Sequence, residues 1–254
     1  MKLWLTLVVV FLVPSLAGAQ PILEFRNDLA FKSADVNSFA AQTYRKRLHE
    51  LAAANKLDRN PDLLKRLHTL IDRLLPSAEY ERPSAAKLPW EIHVCRDCNE
   101  NASAMAGGKM LVSEEFITQI NLSDDELGYL LAHEMGHVLA EHTRESATSA
   151  RYFVGMGLKR DYPDIQHEMD ESFSLMLRMA PFYQQQEMGA DYIGYILGAR
   201  AGFEPHAMLS LLRKLDNGGK AMFDVHPDSQ RRLQHAETIL PAGLRLYQQG
   251  NPAR

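Results

Sequence analysis

Residues 123–139, Ser-Asp-Asp-Glu-Leu-Gly-Tyr-Leu-Leu-Ala-His-Glu-Met-Gly-His-Val-Leu, decide how this chain is read. Ser123 and Glu126 have the spacing of a capping box, which starts a helix at about residue 124. Leu127, Leu131 and Val138 recur at helical spacing and mark its buried stripe. His133 and His137 are four apart, so their imidazoles stand on one face and can grip one metal ion. Glu134 is turned off that line and is free to take a proton from a water beside the metal. The pair could otherwise be helix-surface histidines of no chemical role, but the strong cap and the apolar stripe set them beside a cleft. Gly136 weakens a helix by about 1 kcal/mol against alanine. A position without a side chain there makes sense where another backbone or a substrate comes close.

A hydrolytic zinc site wants three protein ligands and one open position. Glu187, in Gln-Glu-Met-Gly-Ala-Asp at residues 186–191, is the best third ligand. It falls in a second helical stretch, 183–201, closed by Gly202 as a C-terminal cap. Asp191 is one turn further on the same face, where a carboxylate can accept the free N–H of a ligand histidine and fix its tautomer.

These motifs resemble the HtpX-like gluzincin metallopeptidases, relatives of the CaaX prenyl proteases, in their soluble periplasmic, BepA-like branch. The resemblance runs from about residue 35 to 240. It implies a mainly helical α+β fold of the zincin type, with a small β-sheet and hairpin before the zinc helix. It also implies one Zn2+ per chain bound by His133, His137 and Glu187, with Glu134 as general base. Asn101-Ala102-Ser103-Ala104, followed by Gly107-Gly108 and Met110-Leu111-Val112, is similar to the family's edge strand and hairpin. His226-Pro227-Asp228, with Arg232 and Leu233 after it, is similar to the family's His-Pro segment. His226 is either a structural residue beside Pro227 or a group at the active site, stabilising an oxyanion or closing the metal as a fourth ligand. Arg232 either pairs with a carboxylate near the site or lies on the surface. The arginine that often precedes the third ligand in this family is replaced by glutamine at 184–186. His142, His167, His206 and His235 have no partner at ligand spacing and read as surface or core residues.

The first 19 residues read as a secretory signal: Lys2, an apolar run from Leu3 to Val13, and a small-residue site ending at Ala19. The run is too short to span a bilayer, and no later stretch is apolar for long enough. Export to the periplasm follows, with no transmembrane span in the mature chain, although peripheral membrane association is compatible. A formal net charge of −4 supplies no basic face for nucleic acid. Residues 20–254 suit one metallopeptidase domain.

Cys95 and Cys98 admit three readings: a disulfide, a redox pair or part of a second zinc site. An oxidising compartment favours the first. Two N-terminal helices are expected at 34–75, the second ended by Pro76, then a small sheet at 89–113, the zinc helix at 124–142 and further helices near 207–215 and 228–240. The less regular stretch 143–181 is rich in methionine (Met156, Met169, Met176, Met179), which fits core packing, a lid or a surface for apolar peptides.

The function expected is a zinc endopeptidase acting on unfolded or misassembled envelope polypeptides laid beside residues 101–104. The alternative is a chaperone-like periplasmic binding factor with a latent or structural zinc site.

Overall fold

The computed structural model describes residues 23–26, 28–98, 100–155, 160–217 and 229–250. The expected signal segment and His226 lie outside them. Among the described residues the chain forms α1 (Ser33–Ala53), α2 (Pro61–Glu81), a 3-10 turn (Pro83–Lys87), β1 (Glu91–Cys95), β2 (Ala102–Met105) and β3 (Lys109–Ser113). The helices α3 (Glu114–Ile120), α4 (Asp124–Leu139), α5 (His142–Phe153), α6 (Tyr162–Glu171), α7 (Phe173–Arg200), α8 (His206–Asn217) and α9 (Ser229–Gln249) follow. The architecture is α+β and mainly helical, as expected.

The helix α4 is the axis of the molecule. Both bonds of its capping box are made: Ser123 Oγ accepts from Glu126 N–H at 3.2 Å, and Glu126 Oε2 from Ser123 N–H at 2.8 Å. Its apolar residues are buried on more than the one stripe that the spacing suggests, including Tyr129, Leu130, Ala132 and Met135. The reason is enclosure: α2, α7 and α8 and the sheet all pack on it. The side carrying His137 lines a cleft.

The sheet has the order β1-β3-β2, with β1 and β3 parallel and β2 antiparallel to β3. The β2–β3 hairpin turns at Gly107 and Gly108, both at positive φ (80° and 77°), which a residue with a Cβ adopts only at a cost. Ala102 and Ala104 pack toward α4 and the main core, while Met105 on the other face joins Tyr44 and Leu48 of α1. Cys95 and Cys98 are joined by a disulfide in this second cluster.

Four expectations of extent differ. Pro76 does not end α2, which runs on to Glu81. The ring removes one backbone bond, but Ser77, Ala78 and Glu81 beyond it are buried, and Glu81 pairs with Arg200 at 2.7 Å in the interior. The helix α4, expected as a zinc helix to 142, stops at Leu139, because Glu141 takes a left-handed conformation (φ 56°) and starts a new helix at His142. The helix that carries Glu187, α7, begins at Phe173, ten residues before the expected start, capped by Ser172 and carrying Pro181 inside it. Much of the stretch read as irregular is therefore α5, α6 and the first half of α7. Met179 and Met169 pack there as core while Met176 is exposed, and Met156 lies outside the described residues.

Candidate metal centre

The site is made where α4 crosses α7, and two glycines set how closely. A Cβ on Gly136 would stand 2.8 Å from the carbonyl oxygen of Ala190. A Cβ on Gly194 would stand 2.7 Å from the backbone nitrogen of His133 and 2.8 Å from its Cα. Backbone therefore lies against backbone, and carboxylates on α7 reach histidines on α4 without long side chains. The backbone approach anticipated at Gly136 is the one that builds the site.

His133, His137 and Glu187 converge there. The two Nε2 atoms are 3.2 Å apart, Glu187 Oε2 is 3.5 Å from His133 Nε2, and Glu187 Oε1 is 3.3 Å from His137 Nε2. Ligands held about 2.0–2.1 Å from a tetrahedral ion stand about 3.3 Å from one another, and the two imidazole nitrogens and the Glu187 carboxylate, which turns a different oxygen to each, approach at comparable distances. Among the described residues this is the group of histidine, cysteine and acidic side chains whose donor atoms converge. The electrostatics agree with the donor set. Burial works against charge on His133, yet Asp191 and Glu187 outweigh it and push its pKa up to about 10.

Behind the triad the two histidines are held differently. Asp191 is fully buried, with Oδ1 2.9 Å from His133 Nδ1. It also accepts two bonds of 2.7 Å from Arg232 of α9, whose Nη1 is 3.5 Å from Glu187 Oε2. Burial opposes the charge on Arg232, but Asp191, Glu187 and Glu134 hold its pKa above the usual value. Of the two readings of Arg232, pairing near the site is the one the structure bears out. His137 instead meets His142, Nδ1 to Nδ1, at 2.9 Å. Burial and the neighbouring His137 lower the His142 pKa to about 3, so its ring is neutral, and in the tautomer that carries its hydrogen on Nε2 its Nδ1 accepts a hydrogen bond from His137 Nδ1–H.

His142 is a buried residue outside the triad, as its lack of a partner at ligand spacing implies, but its contact with His137 is not legible in the sequence. It lies five residues after His137, off the helical face, and reaches back only because Glu141 turns the chain through the left-handed region. No spacing rule signals it. Gln186 was likewise seen only as a replacement. It donates to the carbonyl of His142 at 3.2 Å and to Glu145 at 2.9 Å, and accepts from Ser146 at 2.9 Å, locking α7 to α5.

Glu134 is buried beside the triad without belonging to it. Asn101 and β2 lie at the sheet edge, and β2 has no second strand partner among the described residues. A cleft of about 200 Å³ joins the hairpin turn at Ala106 and Gly107 to His137.

The sequence pattern of peptidase family M48 matches residues 61–240, a span that holds every residue of this centre and most of the chain. The chain belongs to peptidase family M48. Within M48 it is similar to mitochondrial metalloendopeptidase OMA1 of Saccharomyces cerevisiae, 30% identical over 191 residues covering 68% of this chain and 55% of that protein. Metalloprotease LoiP of Escherichia coli is 27% identical over 200 residues, covering 72% of this chain and 73% of LoiP. The beta-barrel assembly-enhancing protease of Yersinia pestis is 24% identical over 206 residues, covering 74% and 41%. The chain spans about half the length of the OMA1 proteins it matches in the two yeasts. Among the described residues, no helix of this M48 chain is long and apolar enough to cross a membrane.

Proposed function

We propose that this chain is a zinc-dependent endopeptidase, with His133, His137 and Glu187 as ligands and Glu134 as general base. The observation that carries the reading is the convergence of two imidazole nitrogens and the Glu187 carboxylate beside a buried carboxylate that is not one of them. Zinc held there would lower the pKa of a water and polarise the scissile carbonyl. Glu134 takes the proton of the attacking water and then delivers it to the leaving amine. Asp191 and His142 keep the ligand imidazoles in the Nδ1–H tautomer, and Arg232 keeps Asp191 ionised and aimed. His226 is a candidate oxyanion donor or fourth ligand.

The substrate lies extended along β2, at Asn101, Ala102, Ser103 and Ala104, where main-chain bonds impose little sequence preference. The open edge of β2 and the cleft at its end support this placement. The expected signal segment and the likeness to LoiP and to a beta-barrel assembly-enhancing protease support a periplasmic enzyme that removes unfolded or misassembled envelope proteins.

Purified protein and Glu134→Gln are compared on unfolded casein, with zinc determined in both. Cleavage falls at least about a thousandfold in the variant while zinc stays at one per chain. Zinc in both with cleavage in neither would favour a binding factor instead.

A further inference from the structure

The cleft beside His137 carries an uneven charge. Its lining includes two arginines, Arg82 and Arg144, against one acid, Glu141. The rest is neutral or apolar, with Val36, Leu88 and Leu139 among the walls. Glu141 bonds to both guanidinium groups, at 3.1 Å to Arg82 and 2.9 Å to Arg144, and accepts from Ser33. One carboxylate thus serves two cations, and one positive charge is left over.

The two arginines differ in what they have left to give. Every nitrogen of Arg144 is engaged: Nη1 by Glu141 and Ser33, Nη2 by the Leu29 carbonyl at 3.2 Å, and Nε by that of Phe31. That side chain is a structural tie. Arg82 spends Nη2 on Glu141 and Nε on Ser84 at 3.2 Å, but its Nη1 is withdrawn from solvent and has no hydrogen-bond partner. Its guanidinium also lies 4.6 Å from the centroid of the Phe25 ring, which holds it in place from behind. A buried donor with no acceptor is costly unless something supplies one.

We propose that this cleft is a subsite for an acidic side chain of the substrate, aspartate or glutamate, with Arg82 as the residue that sets the preference. The inference rests on the peptidase reading of the adjoining metal centre. It deepens that reading, because a main-chain ladder along β2 is indifferent to sequence and this cleft is not. The cleft opens at Ala106 and Gly107, where β2 ends. A peptide running antiparallel to β2 brings there a residue on the N-terminal side of the scissile bond. A charge-assisted bond to Arg82 Nη1 is the pairing such a carboxylate would make, since Nε and Nη2 are already engaged.

The test uses zinc-loaded Glu134→Gln protein and labelled peptides identical except for glutamate or glutamine at successive positions. Each is made with a free or an amidated C-terminus, and binding is read by fluorescence anisotropy. Glutamate at one position N-terminal to the cleavage site tightens binding about tenfold, whichever terminus is present. In the background of Arg82→Gln that preference falls within about twofold. Ser84→Asp, an exposed position that gives Arg82 a carboxylate of its own, does the same without removing a buried side chain. Equal binding of glutamate and glutamine peptides, or a preference that survives both variants, overturns the proposal. So does a preference for the free C-terminus alone, which would make the ligand a terminal carboxylate. Cleavage by wild type runs in parallel. Discrimination in binding with no cleavage of any peptide would sink the peptidase reading and leave the subsite standing.

Discussion

Two imidazoles facing one ion are held from behind by an anion in one case and a neutral ring in the other. Asp191 gives His133 a charged acceptor and raises its basicity, whereas His142 gives His137 only orientation. Removing either partner should weaken the metal without removing a ligand. Asp191→Asn and His142→Phe are each expected to lose about ten- to a hundredfold in zinc affinity, read by competition with a chromogenic chelator. The aspartate variant should lose more, because Arg232 also loses its counter-charge. Unchanged affinity in both would mean that Glu187 and the helix crossing suffice. At this scale the sequence was informative where function follows helical periodicity. His133, Glu134 and His137 could be read from one turn, and Glu187 and Asp191 from another. It is silent where a side chain returns across a non-helical joint, as His142 does, or bridges two helices far apart in the chain, as Gln186 does.

The helix crossing is set by atoms that are absent. Gly194→Ala places a methyl group 2.7 Å from the His133 backbone, and backbone cannot step aside as a flexible side chain can. Gly189, five residues earlier on α7, would meet only the His142 ring at 3.6 Å, an ordinary contact. Gly194→Ala is therefore expected to lower thermal stability and abolish zinc binding. Gly189→Ala should keep its zinc and gain up to about 1 kcal/mol of helix propensity. Thermal melts with and without zinc check both, and equal behaviour of the two variants would refute the crossing argument. Caps were legible before the structure, since Ser123 and Glu126 declare the start of α4. Helix ends were not. Pro76 is a stop signal that buried Glu81 overrides, and Glu141 is a break with no glycine to announce it.

Over the whole molecule the carboxylates make an acid limit. Burial pushes Glu126 up, but its bonds to Lys214, Ser210 and Ser123 hold it below the usual value of 4.5. Glu141 is likewise raised by burial and lowered further by Ser33, Arg144 and Arg82. Groups with depressed folded pKa values stabilise fully above their unfolded value and lose that contribution as pH falls through the folded one. The urea midpoint should fall as the pH drops from about 6.5 toward 3, because His142, buried neutral with its pKa lowered to about 3, adds its own loss below about pH 6.5 to that of these carboxylates. A midpoint that rises on acidification would contradict these assignments. The α+β class and the order of elements were legible because capped, periodic helices flank a short hairpin. The packing of α4 on nearly all sides was not, since burial from several directions leaves no single stripe to read.

His137 and Glu187 are fifty positions apart in the sequence yet 3.3 Å apart in space. The interval between them leaves and re-enters the centre at neighbouring points, so an ion there would fasten both ends of a long excursion. A backbone cut inside that excursion, at Gly155 for instance, would divide the polypeptide without parting the two helices that carry the donors. Away from Glu141, His142, Arg144, Glu145, Ser146 and Gln186, which brace the site, the excursion could be lengthened, shortened or given an oilier surface with the chemistry left where it is. In that sense the fold separates what must stay still from what is free to be rewritten.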